Sequence, residues 1–136
     1  MMISTKGRYA LRVMIDLAES GLEEYVPLKE IADREEISRK YLENIMTVLS
    51  KAGLVDAIHG KGGYRLNRRP EEYTLAEILN LTEGTLAPVS CMENGQCSCD
   101  RTQDCRTKPI WTELDNLIQN YLESVTLAAF LTPHLS

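Results

Sequence analysis

Apolar residues recur every three or four positions in three segments of the first half of the chain, and this spacing predicts three helices. The first helix is expected to follow an N-cap at Thr5 and to end near Gly21, and the second covers Leu28 to Glu35. Ser38 is the expected N-cap of the third helix, which ends at Gly53. The positions predicted to face a core are Ala10, Val13, Met14, Leu17, Ala18, Leu28, Ile31, Ala32, Tyr41, Leu42, Ile45, Leu49 and Ala52.

The pattern changes to strand character after the third helix. Short strands are predicted at Leu54 to Ile58 and at Tyr64 to Leu66, and the glycine-rich segment between them predicts a β-hairpin. Thr74 and Glu77 form a capping-box sequence that opens a fourth helix, which ends at Gly84. Three helices followed by a hairpin is the element order of a winged helix-turn-helix, so we expect a mainly α fold with a small β-hairpin wing.

The last part of the chain predicts a long loop and a long helix. Residues 85–108 follow neither the helical nor the strand period, and unstructured loops of this length are usually functional. Pro109 is expected at the first position of the long C-terminal helix, and a short terminal helix follows from Leu127 to Leu131. The apolar seam predicted for helix packing, with spacings of 4, 3 and 4, is Leu114, Ile118, Tyr121 and Val125.

Positive charge is concentrated where the third helix and the hairpin are predicted. The whole chain has a net charge of −5, but residues 37–69 hold 7 Lys and Arg against 2 Asp and Glu. A local basic patch in an acidic protein favours an anionic partner, most simply double-stranded DNA. Ser38, Arg39 and Lys40 are expected on the first turn of the third helix, which in this class enters the major groove N-terminus first, and Glu43 and Asn44, about one turn further along, are expected to read base edges. The side chains expected to contact phosphates, or the minor groove from the hairpin tip, are Lys61, Arg65, Arg68 and Arg69.

All four cysteines lie within 15 residues, at positions 91, 97, 99 and 105. Clustered thiolates are soft ligands that suit an iron–sulfur cluster or zinc. Besides a cluster site or a zinc site, the cysteines could form a thiol–disulfide switch or have no chemical function. The candidate ligands are Cys91, Cys97, Cys99 and Cys105.

Composition excludes several other classes of protein. No apolar run is long enough to span a membrane, and the N-terminal segment lacks the apolar stretch of a signal peptide, so a cytoplasmic protein without a membrane partner is expected. The chain has only two histidines, no Ser/His/Asp set and no phosphate-cradling glycine loop with a lysine. We therefore expect a protein that is not an enzyme.

Several segments resemble the Rrf2 family of winged-helix transcription regulators. The segments that carry the resemblance are MISTKGRYA at 2–10, ISRKYLE at 37–43, AGLV at 52–55, GGY at 62–64 and LAEI at 75–78. The resemblance covers nearly the whole chain and includes a cysteine loop followed by a helix with a tryptophan. It implies a homodimer, joined through the long helix, on a pseudo-palindromic operator.

The resemblance also divides the chain into three parts. Residues 1–84 form the DNA-binding domain, residues 85–108 form a cysteine-rich sensor loop, and residues 109–136 form the dimerisation helix and tail. The glycine-rich wing tip with His59, Lys61 and Gly62 is implied to enter the minor groove, and His59 replaces an arginine that many relatives have. A [2Fe–2S] or [4Fe–4S] cluster is implied in the cysteine loop.

The cysteine spacing departs from that of the relatives that carry a cluster. Cys91 and Cys97 match the first two family ligands, whereas Cys105 follows Cys97 by more residues than usual and Cys99 restores the usual interval. Lys108 stands where one branch has a ligating histidine, and it offers no lone pair. The fourth ligand therefore stays open, and four thiolates would complete a site without another donor.

Three hypotheses about function follow from the sequence. The first is a regulator, most simply a repressor, that senses iron–sulfur, oxidative or nitrosative status through the cysteine loop. The second is a repressor of the cysteine-metabolism type, controlled by a metabolic enzyme partner or by a thiol or zinc switch. The third is a metal-carrying or redox protein that uses the fold as a scaffold.

Overall fold

The computed structural model describes residues 3–58, 63–84, 86–88 and 106–131, and it confirms a mainly helical fold with a small sheet. The helices in this part of the chain are α1 Thr5–Ser20, α2 Leu28–Glu35, α3 Arg39–Lys51, α4 Leu75–Glu83 and α5 Lys108–Ser124. The strands are β1 Val26–Pro27, β2 Val55–Ile58 and β3 Gly63–Leu66. Short 3₁₀ segments cover Pro70–Glu72 and Leu127–Leu131. No helix within the described ranges is long and apolar enough to cross a membrane.

Hydroxyl caps set the starts of three helices. Ser38 and Thr74 are confirmed as N-caps, because their side chains accept hydrogen bonds from backbone N–H groups three residues later. The prediction of Thr5 as the cap of α1 is wrong: Ser4 has the extended backbone of a cap, and its Oγ accepts from the Gly7 N–H at 3.1 Å. Thr5 is the first helical residue.

One core is formed by α1, α2, α3, α4, the sheet and the segment after α5. The predicted inward positions of α1, α2 and α3 are buried, with two differences in α3. Tyr41 is only partly buried against this core, and Ala52 is exposed at the helix end. Met46, which the prediction missed, is fully buried. The apolar stripe of α3 therefore faces the core through Leu42, Ile45, Met46 and Leu49.

The sheet has three strands in the order β1-β3-β2, one more than the predicted hairpin. β2 and β3 pair antiparallel with Ala57 opposite Tyr64, and β1 adds Val26 opposite Tyr64 on the other edge of β3. Gly63 is required where these strands meet, because a Cβ there would lie 2.7 Å from the Cβ of Tyr25. The segment before α2 is thereby attached to the start of β3, next to the connection between β2 and β3.

The long helix α5 presents its apolar side to solvent. Pro109 lies at its second position rather than the predicted first, and its residues include none that are fully buried. The large exposed apolar residues of α5 are Ile110 at 57%, Leu114 at 38%, Leu117 at 60% and Tyr121 at 65% of their full exposure. Their spacings of 4, 3 and 4 equal those of the predicted seam, and Leu114 and Tyr121 belong to both, but Ile110 and Leu117 stand in place of the predicted Ile118 and Val125.

The chain returns to the core directly after α5. The helix ends at Ser124, so Val125, predicted to be in the helical seam, has an extended backbone instead. Its carbonyl accepts from the Leu75 N–H at 2.9 Å, and the Leu127 N–H donates to the Tyr73 carbonyl at 3.1 Å. Thr74 and Thr126 form a β-bridge between these bonds, and Leu127 is fully buried. This return segment fixes the end of α5 to the start of α4.

An acidic and basic cluster joins α1 to α2. The buried carboxylate of Asp16 accepts two hydrogen bonds from Arg34, at 2.7 and 3.0 Å, and Glu35 accepts from Arg12 at 3.2 Å. Burial raises the pKa of Glu35, a hydrogen bond with Asp16 raises it further, and Arg12 opposes both effects. The net direction is upward, so the folded protein binds the Glu35 proton more tightly than the unfolded chain does.

This direction predicts how stability depends on pH. The stability that Glu35 contributes is present below the ordinary glutamate range and is lost as pH rises through the raised folded-state pKa. Wild type and Glu35→Gln are expected to match at the low end of that window, and wild type is expected to lose stability relative to the variant as pH rises. Urea unfolding from about pH 4 to 7 measures this difference, and Glu19→Gln on exposed α1 surface is the control. A wild-type–variant difference that does not vary with pH would contradict the assignment.

Candidate nucleic-acid interface

The polar residues predicted for DNA reading share one exposed end of α3. Ser38, Arg39 and Lys40 lie in its cap and first turn, and Glu43 and Asn44 lie one turn further along; all five are exposed. The opposite side of the helix is buried in the core. Since Ser38 Oγ accepts from the Tyr41 N–H at 3.2 Å, its hydroxyl proton stays available to donate to a ligand. The structure thus brings these side chains together on a surface that the core holds rigidly.

Two aromatic residues connect the start of α3 to α1. The rings of Tyr9 and Tyr41 meet edge to face with centroids 5.7 Å apart. The guanidinium of Arg12 lies 5.2 Å from the Tyr9 ring centre and also pairs with Glu35 at the end of α2. These contacts fix α3 relative to both preceding helices. Sequence reasoning missed Tyr9 and Arg12, because their partners are brought close only by the fold.

A cleft lies on each side of the exposed ridge of α3. The larger, about 480 Å³, separates α3 from α2 and the sheet, and its lining includes Lys29, Arg39, Glu43 and Tyr64. The lining of the smaller, about 290 Å³, includes Lys6, Tyr41, Asn44 and Val48, and it separates α3 from α1. Thr47 borders both clefts and so marks the ridge between them. Lys6, Lys29 and Tyr64 were not predicted as site residues, and only the general excess of basic residues could have indicated the two lysines.

The arginines predicted to contact phosphates are engaged within the protein. Arg65, on β3, stacks on Tyr25 with 4.4 Å between its guanidinium carbon and the ring centre. It also lies 3.9 Å from the carboxylate of Asp56 on β2. Arg68 pairs with Glu77 at 2.9 Å and stacks on a buried tyrosine, and Arg69 approaches Glu72. These side chains hold the wing and the turn after it against their neighbours.

The remaining predicted site residues lie outside the described ranges. They are His59, Lys61 and Gly62 at the wing tip and the four cysteines Cys91, Cys97, Cys99 and Cys105. Within the described ranges, no group of three or more His, Cys, Asp or Glu is placed to hold a metal ion.

The structure does describe the elements that flank the cysteine loop. On its N-terminal side, Glu83 ends α4, and its Oε1 accepts from the N–H of Ser4 at 2.9 Å and from the Ser4 hydroxyl at 2.8 Å. On its C-terminal side, Lys108 is the first residue of α5. Gly7 lies against this contact between Ser4 and Glu83, because a Cβ at position 7 would lie 2.2 Å from Glu83 Oε1. The start of the loop is therefore anchored to the first turn of α1.

Comparison with known proteins finds similarity over almost the entire chain. The family model Rrf2, described as an iron-dependent transcriptional regulator, matches residues 3–133. The chain is 38% identical over 129 residues to the protein rrf2 of Nitratidesulfovibrio vulgaris, covering 94% of this chain and 85% of that protein.

Two solved structures combine similar sequence with similar fold. CymR, the global cysteine regulator of Bacillus subtilis, matches with a TM-score of 0.77 and 35% identity over 93% of both chains. The IscR of T. potens matches with a TM-score of 0.76 and 36% identity, over 96% of this chain and 86% of that one. The similarity therefore extends from the winged part through α5.

Proposed function

The chain belongs to the Rrf2 family of DNA-binding, non-enzymatic transcription regulators, and from that premise we propose that it acts as a homodimer on a pseudo-palindromic operator. We further propose that it represses its target genes and that a cysteine-ligated iron–sulfur cluster controls its affinity for the operator. The observation that carries the proposal is the exposed polar end of α3, supported from behind by a buried apolar stripe.

The side chains on this end of α3 have complementary hydrogen-bonding abilities. Arg39 can donate two hydrogen bonds to guanine, Asn44 can pair with adenine, and Glu43 can accept from the amino group of cytosine. Ser38 and Lys40, at the start of the helix, supply a hydroxyl and an ammonium that reach bases or phosphates. The proposed function therefore assigns base reading to Arg39, Glu43 and Asn44.

The wing is proposed to contact the DNA beside the recognition helix. His59, Lys61 and Gly62 lie in the connection between β2 and β3, and Lys61 supplies the positive charge for a phosphate or the minor groove. Arg65 lies nearer the base of the wing. Because Tyr25 and Asp56 already hold its guanidinium, Arg65 would meet a phosphate only with its remaining exposed edge.

The proposed dimer is joined through α5. Within the described residues, the apolar stripe of this helix has no cover, and its 4-3-4 spacing is that of helices that pack side by side. A second copy of the chain presents the same stripe, so the two can bury each other around a twofold axis. A dimer of this kind places two copies of α3 on two half-sites, which is why the operator would be pseudo-palindromic.

The donor set of the loop fits an iron–sulfur cluster. Four thiols within 15 residues are the soft ligands that iron–sulfur clusters take. Cys91, Cys97 and Cys105 would hold it with Cys99 as the fourth thiolate, since Lys108 at the start of α5 carries an ammonium in place of a donor. When bound, the cluster supplies a centre that reacts with oxygen or nitric oxide and responds to iron supply.

The flanking elements provide a route from the loop to the DNA-binding surface. Residues 85–108 connect α4, which packs on α1, to α5, the proposed dimer helix. A cluster that orders these residues against the start of α5 would change the angle between the two copies of α3. The fit to half-sites one helical turn apart would change with it.

The experiment that tests this proposal combines cluster analysis with DNA binding. Wild-type protein purified without oxygen is expected to be brown and to contain iron and sulfide in near-equal amounts. Cys91→Ala is expected to lose the colour and to change the affinity for a duplex that the wild type has selected from a random pool. Its winged part is expected to stay folded, with the unfolding midpoint of wild type from which the cluster has been removed.

Ser98→Ala, a change of similar size within the same loop, is the matched control and is expected to keep both properties. Equal operator affinity with and without the cluster would refute control by the cluster. A protein that stays colourless after reconstitution with iron and sulfide would indicate zinc or a thiol switch in the loop. In either case the DNA-binding part of the proposal stands on the duplex selection alone.

The similarity to CymR supports a second candidate for the signal. That solved relative is described as a global cysteine regulator, and its structure is as similar to this chain as that of the IscR. Under this second proposal, a metabolic enzyme binds the regulator and thereby controls the affinity of the regulator for its operator. Copurification of an enzyme with the tagged regulator, together with a shift in operator affinity when that enzyme is added, would favour it over the cluster.

A further inference from the structure

We propose that the two clefts beside α3 bind the two sugar–phosphate backbones that border the major groove. Lys29 and Tyr64 would contact one DNA strand, and Lys6 would contact the other. The inference rests on the proposed function and adds residues from α1, α2 and the sheet to the DNA contacts. None of these three residues lies on the recognition helix itself.

The dimensions of a helix and of B-DNA explain why two clefts are needed. An α-helix with its side chains is about 10–12 Å in diameter, and the major groove is about 12 Å wide and 8.5 Å deep. A helix inserted into the groove therefore has one backbone on each side. α3 has this arrangement, because Thr47 lies on the ridge that borders both clefts, and Arg39 and Asn44 line opposite ones.

The ion pairs show which basic side chains are already bound to a carboxylate and which are not. Arg12, Arg34, Arg65, Arg68 and Arg69 each lie within 4.0 Å of a carboxylate. Lys6 and Lys29 form no ion pair with any described residue, yet each lines a cleft beside α3. An ammonium acts on phosphate as a point charge, so these lysines need no particular orientation of the backbone.

The larger cleft also contains neutral and acidic groups. Tyr64 contributes a phenolic O–H donor from β3, opposite Arg39 on α3. Glu43 borders the same cleft, and its carboxylate repels phosphate. Phosphate binding in this cleft is therefore assigned to Lys29 and Tyr64, while Arg39 and Glu43 keep the base-reading role proposed for them above.

The salt dependence of binding tests the assignment. Fluorescence anisotropy with the selected duplex, and with an unrelated duplex, gives affinity across a series of salt concentrations. Lys29→Ala and Lys6→Ala are each expected to reduce the slope of log affinity against log salt by about 1 and to weaken binding to both duplexes by a similar factor. Tyr64→Phe is expected to lower affinity about threefold with the slope unchanged, because the lost group is neutral.

Lys51→Ala is the matched control, since Lys51 is exposed in the last turn of α3 and lines neither cleft. It is expected to leave the slope at the wild-type value. Wild-type slopes in both Lys29→Ala and Lys6→Ala, with steep salt dependence in the wild type, would overturn the inference and leave the proposed function standing. A wild type that binds no duplex, or binds without steep salt dependence, would instead overturn the proposed function.

Discussion

Leu117→Glu is expected to convert the proposed dimer to a monomer and to weaken operator binding by about 100-fold or more, because the second half-site would no longer be bound intramolecularly. Leu117 is 60% exposed in the single chain and lies in the apolar stripe of α5. A carboxylate there would be placed against the same residue region of the second copy, where burial of an unpaired charge is costly.

Light scattering after gel filtration measures the mass, and anisotropy with the selected duplex measures the affinity. Asn116→Glu introduces the same charge on an exposed position of α5 outside the stripe, and it is expected to remain a dimer. A Leu117→Glu protein that is dimeric and binds the operator as wild type does would place the dimer contact elsewhere. The folded state of both variants can be checked by their unfolding midpoints.

Tyr73→Phe is expected to lower the free energy of unfolding by about 2–4 kcal/mol, since it strands several buried polar groups at once. The fully buried Tyr73 hydroxyl donates to the Leu54 carbonyl at 2.8 Å and accepts from the N–H groups of Asn67 and Arg68, both at 3.1 Å. Burial raises the pKa of Tyr73, which keeps the hydroxyl protonated as the donor to Leu54. Phenylalanine fills the same space but leaves these three backbone groups without their partner.

Urea denaturation measures this loss. Tyr25→Phe is the matched control, because Tyr25 is half-buried and its ring keeps its stacking with Arg65; the expected change is within about 0.5 kcal/mol. If Tyr73→Phe were as stable as Tyr25→Phe, water would have to replace the hydroxyl at the base of the wing. A crystal structure of the variant would then show that water between Leu54 and Asn67.

The sequence predicted best those features that depend on neighbours along the chain. The bounds of α2, the caps at Ser38 and Thr74 and the glycine stops follow from local spacing, and the structure confirms them. The polar end of α3 follows from the same local pattern. The cap of α1 is the exception: Ser4 and Thr5 are both good caps, and the local sequence does not distinguish them.

Features that depend on tertiary contacts were not predictable from periodicity. The sequence of residues 24–27 predicts either a linker or a strand, and only pairing with β3 decides for the two-residue strand β1. Likewise, α5 ends at Ser124 because Val125 pairs with Leu75. Arg65 was counted as free positive charge, although its partners Tyr25 and Asp56 are fixed by the sheet. Which apolar residues of α5 stay exposed also depends on which side of the helix packs on α4. The 4-3-4 spacing alone does not determine this.

The segment that contains the cysteine loop and α5 is attached to the winged part at both of its ends, and this limits how α5 can move relative to α3. The chain leaves the winged part at Glu83, whose carboxylate accepts hydrogen bonds from Ser4. It returns at Val125, whose carbonyl accepts a hydrogen bond from the Leu75 N–H. Between these two anchors, α5 also packs along α4, so the helix is held to the winged part along its length as well as at its end. A second protein bound to α5 would therefore restrict the orientation of the winged part, and with it the orientation of α3 on the DNA.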